Sequence, residues 1–219
     1  VREEEPAITY HNVSFSFDQR QLYRDFCHVF RPGGCYAIVG ESGSGKTTLI
    51  KLLLKYYDNY TGEIYFGDQD IKNATEREIL AQISVVNQSA FLFNASLYEN
   101  ITMFGQTPAQ DSDAYQALLE ELNLTDLAKR VGEKPLGDFG DHISGGERQR
   151  ICIARAMQKH ASVMVFDEPT TGLDPENVKL IQEFIFRQKH ITRIVITHDW
   201  SKEYLDRFDE VIRVPGAAD

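Results

Sequence analysis

The sequence has few of the residues that build disulfide frameworks or cross membranes. It contains only three cysteines in 219 residues, Cys27, Cys35 and Cys152, and these are too few and too scattered for a disulfide framework or a zinc site. Small buried or half-buried thiols in a reducing compartment are the simplest interpretation of them. No segment approaches the roughly eighteen consecutive apolar residues of a membrane-spanning helix. The charged, acidic first residues do not have the pattern of a signal peptide.

Positive charge is also scarce. Lys and Arg number 23 against 33 Asp and Glu, which gives a formal net charge of −10. Because sequence-independent nucleic-acid binding relies on basic patches, we expect no nucleic-acid partner. The 42% hydrophobic and 26% charged residues are an ordinary globular composition, which excludes disordered and fibrous classes. The length suits one large domain, or one domain with an inserted subdomain.

Strand and helix signals alternate along most of the chain. Apolar runs predict strands at residues 7–17 (an edge strand), 22–30, 35–39, 63–66, 83–86, 162–166, 192–197 and 210–214. Apolar residues at helical spacing predict helices at residues 47–56, 111–129 and 175–188. Strand signals are missing between about residues 90 and 159, and residues 132–141 are predicted to form an exposed loop. Such alternation is typical of an α/β fold, with a parallel sheet covered on both faces and a helical insertion.

A glycine-rich segment joins a predicted strand to a predicted helix. Residues 40–47 fit the pattern G-x-x-x-x-G-K-[ST], in which glycines let backbone N–H groups point at phosphate oxygens. Lys46 can then bridge the outer phosphates, and Thr47 can place its hydroxyl on Mg²⁺. We therefore predict a nucleoside triphosphate site that is formed by Gly40, Glu41, Ser42, Gly43, Ser44, Gly45, Lys46, Thr47 and Thr48.

Two acidic residues end the predicted strand at residues 162–166. A carboxylate at the C-terminal edge of a parallel strand lies where α/β sheets bind ligands, so Asp167 is predicted to hold Mg²⁺. Glu168 is the better candidate to polarise the attacking water, because two adjacent acids cannot both face the metal. Alone, the segment could equally be a solvated acidic turn. A phosphate loop on the same chain favours the catalytic interpretation.

A serine and two glycines precede another predicted helix. Ser144 and Glu147 form an S-x-x-E pattern, which predicts a capping box at a helix start. This pattern does not explain Gly145 and Gly146, since each glycine lowers helix propensity by about 1 kcal/mol. Glycines at this place would allow an anion to approach the positive end of the helix.

These segments together resemble the motifs of ATP-binding-cassette (ABC) proteins, in that family's order and over nearly the whole chain, from about residue 9 to residue 214. Residues 40–48 match the Walker A loop, Gln88 the Q-loop glutamine, residues 144–147 the signature motif, residues 163–168 the Walker B strand with its catalytic glutamate, residues 171–174 the D-loop, and His198 the switch histidine. The resemblance implies a P-loop NTPase core with a mostly parallel sheet, an N-terminal antiparallel β subdomain and an inserted α-helical subdomain. The core would comprise residues 1–88 and 161–219, and the helical subdomain residues 89–160.

The resemblance also implies how the site works. Two such domains would sandwich two ATP molecules head to tail, each ATP lying on one Walker A loop and capped by the partner's Ser144, Gly145, Gly146 and Glu147. Gln88 would contact Mg²⁺ or the attacking water, and His198 would hydrogen-bond the γ-phosphate. The implied catalytic residues are Glu168, His198, Gln88 and Lys46, the implied metal ligands are Thr47, Gln88 and Asp167, and the implied cofactors are ATP and Mg²⁺.

The sequence departs from the family pattern in four places. Glu147 replaces the usual glutamine and adds negative charge near the proposed phosphate site. Phe17 stands where a tyrosine usually stacks on adenine, although it could equally be a buried strand residue. Residues 136–140 resemble an altered exporter loop, with Asp138 in place of glutamate. Residues 171–174 are closer to importer usage.

Residues 88–101 nevertheless resemble exporters most closely, which implies a transmembrane domain fused upstream of residue 1 and a place at the cytoplasmic face of the cell (inner) membrane. The Val1 start and the acidic residues through Pro6, as a linker, agree with this. Residues 91–93 would either meet the membrane domain or pack inside the helical insertion. Two alternatives remain, a soluble ABC ATPase that acts on nucleic acid or protein assembly, and a non-catalytic regulatory nucleotide-binding module.

Overall fold

The chain divides into two compact units. The computed structural model describes residues 7–17, 20–105, 109–137 and 142–214. The first unit comprises Val1–Ser84, Ala161–Glu168 and Lys189–Asp219, and the second comprises Val85–His160 and Pro169–Gln188. The predicted division places residues 85–88 and 169–188 with the core, whereas the second unit contains them.

An antiparallel sheet opens the first unit. Its strands are β1 (Ile8–Phe17), β2 (Arg20–Phe30), β4 (Thr61–Phe66) and β5 (Gln69–Asp70), in the order β2-β1-β4-β5. The prediction of β1 as an edge strand is wrong, because Ile8 pairs with Phe30 on one side and with Phe66 on the other. The alternation of buried residues slips at Asn12, where φ is 50° and the register shifts.

A five-stranded sheet forms the rest of the first unit's core. Its strands are β3 (Cys35–Val39), β6 (Ile83–Val86), β7 (Val163–Asp167), β8 (Thr192–Ile196) and β9 (Glu210–Arg213), in the order β6-β7-β8-β3-β9. The pairs β3/β8, β3/β9 and β7/β8 are parallel, and every residue of β3 and β8 is buried. The predicted α/β class, with an antiparallel sheet and a mostly parallel core sheet, is confirmed.

Short helices connect these strands. They are α1 (Lys46–Leu53), a 3-10 helix (Ile71–Asn73), α2 (Glu76–Gln82) and α8 (Lys202–Leu205). The prediction extends α1 to residue 56, but the helix ends earlier because Lys55 adopts a left-handed conformation with φ 61°. Among the described residues, no helix has both the length and the apolar character needed to cross a membrane.

The second unit is helical. It contains α3 (Leu97–Thr102), α4 (Asp113–Glu121), α5 (Thr125–Val131), α6 (Gly145–Met157) and α7 (Pro175–Arg187). The single helix predicted at residues 111–129 is two helices, because Asn123 between them has φ 51°. Residues 138–141, which include the altered exporter-loop residue Asp138, and the expected linker through Pro6 lie outside the described residues.

Candidate active site

The glycine-rich loop connects the buried strand β3 to α1. Gly45 is the N-cap of α1 and has φ 104°, a left-handed conformation that strongly favours glycine. A side chain at Gly40 would place its Cβ 2.7 Å from the carbonyl oxygen of Val214. Both glycines are therefore required by backbone geometry.

Lys46 lies inside the curl of this loop. Its Nζ donates hydrogen bonds to the carbonyl oxygens of Gly40 at 3.0 Å and of Glu41 at 2.9 Å, and the residue is only 5% exposed. Burial lowers the pKa of Lys46, and the nearby carboxylates of Glu168 and Asp167 oppose this shift. A buried ammonium at the N-terminal end of α1 is suited to bind polyphosphate.

Thr47 and Asp167 come together from α1 and the end of β7. Thr47 Oγ1 donates to Asp167 Oδ2 at 3.0 Å and lies 3.3 Å from Oδ1. Burial raises the pKa of Asp167, with the Thr47 hydrogen bond acting in the opposite direction. In the part of the chain that the structure describes, no group of three or more His, Cys, Asp or Glu forms a metal cage. A hydroxyl and a carboxylate, completed by phosphate and water oxygens, match the donor set that Mg²⁺ prefers.

Glu168 has an unusual backbone. Its φ is 49°, which is uncommon for a residue with a side chain, and its backbone N–H donates to the carbonyl oxygen of Ile196 at 3.0 Å. One carboxylate oxygen lies 2.6 Å from His198 Nε2. Strained residues of this kind cluster at functional sites, where the surrounding structure maintains them. Here the strain is found at the residue that the sequence assigns to water activation.

Lys46, Thr47, Glu168 and His198 line one cavity of about 620 Å³ in the first unit. Its lining residues are Phe17, Arg20, Leu22, Ser42, Gly43, Gly45, Lys46, Thr47, Thr48, Glu168 and His198. Phe17 is 53% exposed and is therefore not a buried strand residue. Arg20 and Leu22 are absent from the sequence prediction. Their position at the start of β2, just beyond Phe17, is the signal that could have found them.

The other predicted site residues lie in the second unit. Gln88 is exposed and follows β6 by two residues. Ser144 is the N-cap of α6, where its hydroxyl accepts from Glu147 N–H at 3.2 Å and its own N–H donates to the Glu147 carboxylate at 2.9 Å. The predicted capping box is present.

Arg130, on α5, neutralises the unusual acid of this segment. Its guanidinium lies 2.8 Å from Glu147 Oε1. Burial raises the pKa of Glu147, but the hydrogen bonds from Ser144 and Arg130 outweigh burial and hold this pKa below its usual value. The extra negative charge expected from the sequence is therefore paired within the same unit.

The two glycines of the segment have different surroundings. Gly145 is exposed, and a Cβ there would meet only the Leu173 side chain at 3.5 Å. Gly146 is buried, and a Cβ there would lie 2.3 Å from the Asn177 amide. The sequence analysis attributes the presence of both glycines to anion access. In the structure, the close approach of Asn177 on α7 is the reason why residue 146 is a glycine.

Asn177 also links the starts of α6 and α7. Its side-chain oxygen accepts a hydrogen bond from Arg150, and its Nδ2 donates to Asp174 Oδ2 at 2.6 Å. Asp174 in turn caps α7 by accepting from the backbone N–H groups of Glu176 and Asn177. The segment at residues 171–174 is thereby joined to the segment at residues 144–147.

An aromatic cluster, defined as Phe91, Phe93 and Phe104, is present in the same unit. The Phe93 ring lies 5.0 Å from that of Phe91 and 5.6 Å from that of Phe104, measured between centroids. Phe91 is 46% and Phe104 is 58% exposed, whereas Leu92 is buried. Arg155 on α6 contacts the cluster, because its guanidinium donates a hydrogen bond to the Phe91 carbonyl oxygen at 2.9 Å. The sequence leaves open whether residues 91–93 meet a membrane domain or pack inside the helical insertion. Leu92 is packed inside the unit, whereas Phe91 is exposed.

Known proteins resemble the chain over most of its length. The family model described as "ABC transporter" matches residues 24–171. Multidrug resistance protein pgp-1 of Caenorhabditis elegans is 35% identical over 202 residues, which are 87% of this chain and 15% of that protein. The ATP-dependent lipid A-core flippase of Francisella novicida is 32% identical over 213 residues, 95% of this chain and 35% of that protein.

A solved structure has the same fold. It is described as a bacterial Atm1-family ABC exporter with ATP bound, and it matches with a TM-score of 0.84 and 29% identity, over 100% of this chain and 39% of that one. The chain thus spans well under half the length of these similar proteins.

Proposed function

Because the chain belongs to the ABC transporter family, we propose that it is the ATP-binding and ATP-hydrolysing domain of an exporter, and that ATP-driven dimerisation of this domain powers transport across a membrane. The observation that carries the proposal is the single cavity that brings together Lys46, Thr47, Glu168 and His198. The names of the similar proteins, a multidrug resistance protein, a lipid flippase and an exporter, support the exporter assignment.

In this proposal the nucleotide lies along the cavity from Phe17 to Glu168. Phe17 stacks on the adenine from its exposed position at the rim. The backbone N–H groups of residues 40–48 and the Lys46 ammonium hold the phosphates. Bound Mg²⁺ neutralises phosphate charge, and Thr47 and Asp167 are the residues that would hold it, with Gln88 as a further candidate.

Glu168 and His198 act on the water and the γ-phosphate. The Glu168 carboxylate orients the attacking water and accepts its proton. The His198 ring, whose Nε2 lies 2.6 Å from that carboxylate, fixes its direction, and in this proposal His198 also hydrogen-bonds the γ-phosphate. Catalysis then rests on positioning and on charge stabilisation by Lys46, as is usual in phosphoryl transfer.

The proposed partners are a second nucleotide-binding domain and a membrane domain. A second copy, identical or related, would place Ser144 and the exposed Gly145 over the first copy's ATP, head to tail. The aromatic cluster, with the exposed Met103 beside it, would face a transmembrane domain fused upstream of residue 1. The chain would then lie at the cytoplasmic face of the membrane.

The test is Glu168→Gln. We expect retained MgATP binding, a turnover lowered by roughly 10²–10⁴-fold because a general base is lost, and accumulation of an ATP-bound dimer. Glu203→Gln, which removes an exposed carboxylate of α8 in the same unit, is the matched control and should hydrolyse ATP normally. Unchanged turnover of the Glu168 variant would remove this residue from the mechanism.

A soluble ABC ATPase without a membrane domain has less support, because the similar proteins named above are transporters. Membrane spans encoded next to this chain in its reading frame would distinguish the two. ATP hydrolysis by the purified chain would argue against a purely regulatory nucleotide-binding module.

A further inference from the structure

Two buried tyrosines of the antiparallel sheet hydrogen-bond the helix that follows the phosphate loop. Tyr23 Oη, on β2, donates to the carbonyl oxygen of Gly45 at 2.7 Å. Tyr10 Oη, on β1, donates to that of Leu49 at 3.0 Å. Tyr23 is 3% and Tyr10 is 1% exposed. Burial raises the pKa of both phenols well above the ordinary value, so both remain O–H donors at neutral pH.

The carbonyl that Tyr23 holds belongs to the peptide between Gly45 and Lys46. A trans peptide is planar, and its C=O and N–H point in opposite directions. Fixing the Gly45 oxygen therefore fixes the direction of the Lys46 N–H. This N–H is one of the first four of α1, which have no acceptor within the helix and which anion sites use.

Besides the Tyr23 hydroxyl, one backbone hydrogen bond holds the Gly45 carbonyl oxygen. Gly45 is the N-cap of α1 without a side-chain hydrogen bond, and glycine is the most mobile residue in the backbone. Its carbonyl oxygen also accepts from the Leu49 N–H at 3.1 Å. The Tyr23 hydroxyl packs against it so closely that a Cβ on Gly45 would lie 3.2 Å from the Tyr23 oxygen.

We propose that Tyr23 is a positioning residue of the phosphate loop, whose hydroxyl orients the Gly45–Lys46 peptide so that the Lys46 N–H faces the bound phosphates. The inference rests on the proposed function only in requiring that the loop binds a nucleotide. Tyr23 is not among the residues that line the cavity, so it would act through the loop. Its contribution is to limit the rotation of this peptide before the nucleotide arrives, which lowers the entropy lost on binding.

Tyr10 supplies a matched control within the same helix. The peptide that it holds, between Leu49 and Ile50, lies inside α1, where its N–H is used by the helical hydrogen bonds themselves. Tyr10→Phe and Tyr23→Phe each remove one buried phenol hydroxyl from a backbone carbonyl of α1. Only the second change loosens a peptide whose N–H faces the loop, since the Leu49 N–H then holds the Gly45 oxygen alone.

The experiment compares the wild type, Tyr23→Phe and Tyr10→Phe as purified full chains. Thermal unfolding without nucleotide measures stability, and calorimetry measures Kd for MgATP and MgADP. We expect similar losses of thermal midpoint in both variants. Kd should rise by about 3- to 10-fold in Tyr23→Phe alone, the effect of one ordinary hydrogen bond, and equally for both nucleotides because both use the loop.

Equal Kd values in the two variants, raised or unchanged, would overturn the inference. If either variant is partly unfolded at the assay temperature, the same comparison is made at a lower temperature at which both variants are folded. A wild type that binds neither nucleotide would contradict the proposed function instead, so the two failures are distinguishable.

Discussion

The pair of Arg130 and Glu147 allows a prediction in which two substitutions act in opposite directions. Removing the cation by Arg130→Gln leaves the Glu147 carboxylate without its hydrogen-bonded cation at the start of α6, where the proposed dimer brings a phosphate. Glu147→Gln removes the carboxylate and leaves the cation, and glutamine can still form the capping box. We therefore expect weaker ATP-driven dimerisation in the first variant, stronger in the second, and near-wild-type association in the double variant.

The size of the effect follows from the geometry. The two charges lie 2.8 Å apart, with side chains 56% exposed for Arg130 and 15% exposed for Glu147, so solvent screens them substantially. A charge near a helix terminus contributes about 0.3–1 kcal/mol at such a site. A head-to-tail dimer contains two of these sites. The dimerisation constant should then change by about 3- to 30-fold for each single variant.

The assay is sedimentation velocity with MgATP in a Glu168→Gln background, in which slower hydrolysis should keep ATP bound. Lys129→Gln is the matched control, because Lys129 precedes Arg130 on α5 but lies 3.8 Å from Asp126 instead of contacting Glu147. The differences should shrink at 0.5 M salt, since exposed charges are screened there. If Arg130→Gln and Glu147→Gln weakened dimerisation alike, the pair would be a structural ion pair only and the electrostatic reasoning would be refuted.

Four other changes have defined outcomes. Lys46→Ala should abolish nucleotide binding in calorimetry while the circular dichroism spectrum stays native; tight MgATP binding would contradict the loop assignment. Asp167→Asn should raise the thermal midpoint of the nucleotide-free protein at pH 7 and lose this advantage near pH 4. The pKa of Asp167 is raised, so the folded state disfavours its charge, and the resulting loss of stability is complete only above the raised pKa. A lower midpoint of the variant at pH 7 would contradict this reasoning. Gly146→Ala should lower the free energy of unfolding in urea by about 1–3 kcal/mol, because its Cβ would meet the Asn177 amide. An unchanged urea midpoint would mean that Asn177 moves aside easily. Phe17→Ala should weaken ATP and ADP binding but leave inorganic triphosphate binding unchanged, and equal losses for all three would exclude stacking on the base.

Buried parallel strands could be predicted almost to the residue. β3 and β6 have the predicted bounds, and β8 and β9 differ from theirs by one residue at the C-terminal end. Such strands are nearly continuous apolar runs, so the sequence alone marks them. The helices α2, α3 and α8 have seven, six and four residues and are too short to show a period. The position of β1 depends on its pairing with β4, which is distant in sequence.

The candidate site also has one part that the sequence predicts and one part that it does not. The phosphate loop is contiguous in sequence, so one pattern predicts Gly40 to Thr48 together. Arg130 and Glu147 are 17 residues apart, Tyr23 and Gly45 are 22 apart, and nothing local in the chain indicates that they meet. The motifs therefore predict which groups could touch a nucleotide, whereas the residues that hold those groups in place are found only in the fold.

The arrangement of the site also accounts for the opposite effects expected of Asp167→Asn on stability and on function. Glu168 is held at a positive φ, Asp167 is a buried carboxylate with a raised pKa, and Lys46 is a buried ammonium with a lowered one. Each of these features opposes folding, so the packing of the two sheets must maintain them. A polyphosphate with its cation would complement both the ammonium and the carboxylate. MgATP should for that reason stabilise the first unit strongly, and Asp167→Asn should reduce this ligand-dependent gain even while it stabilises the protein alone.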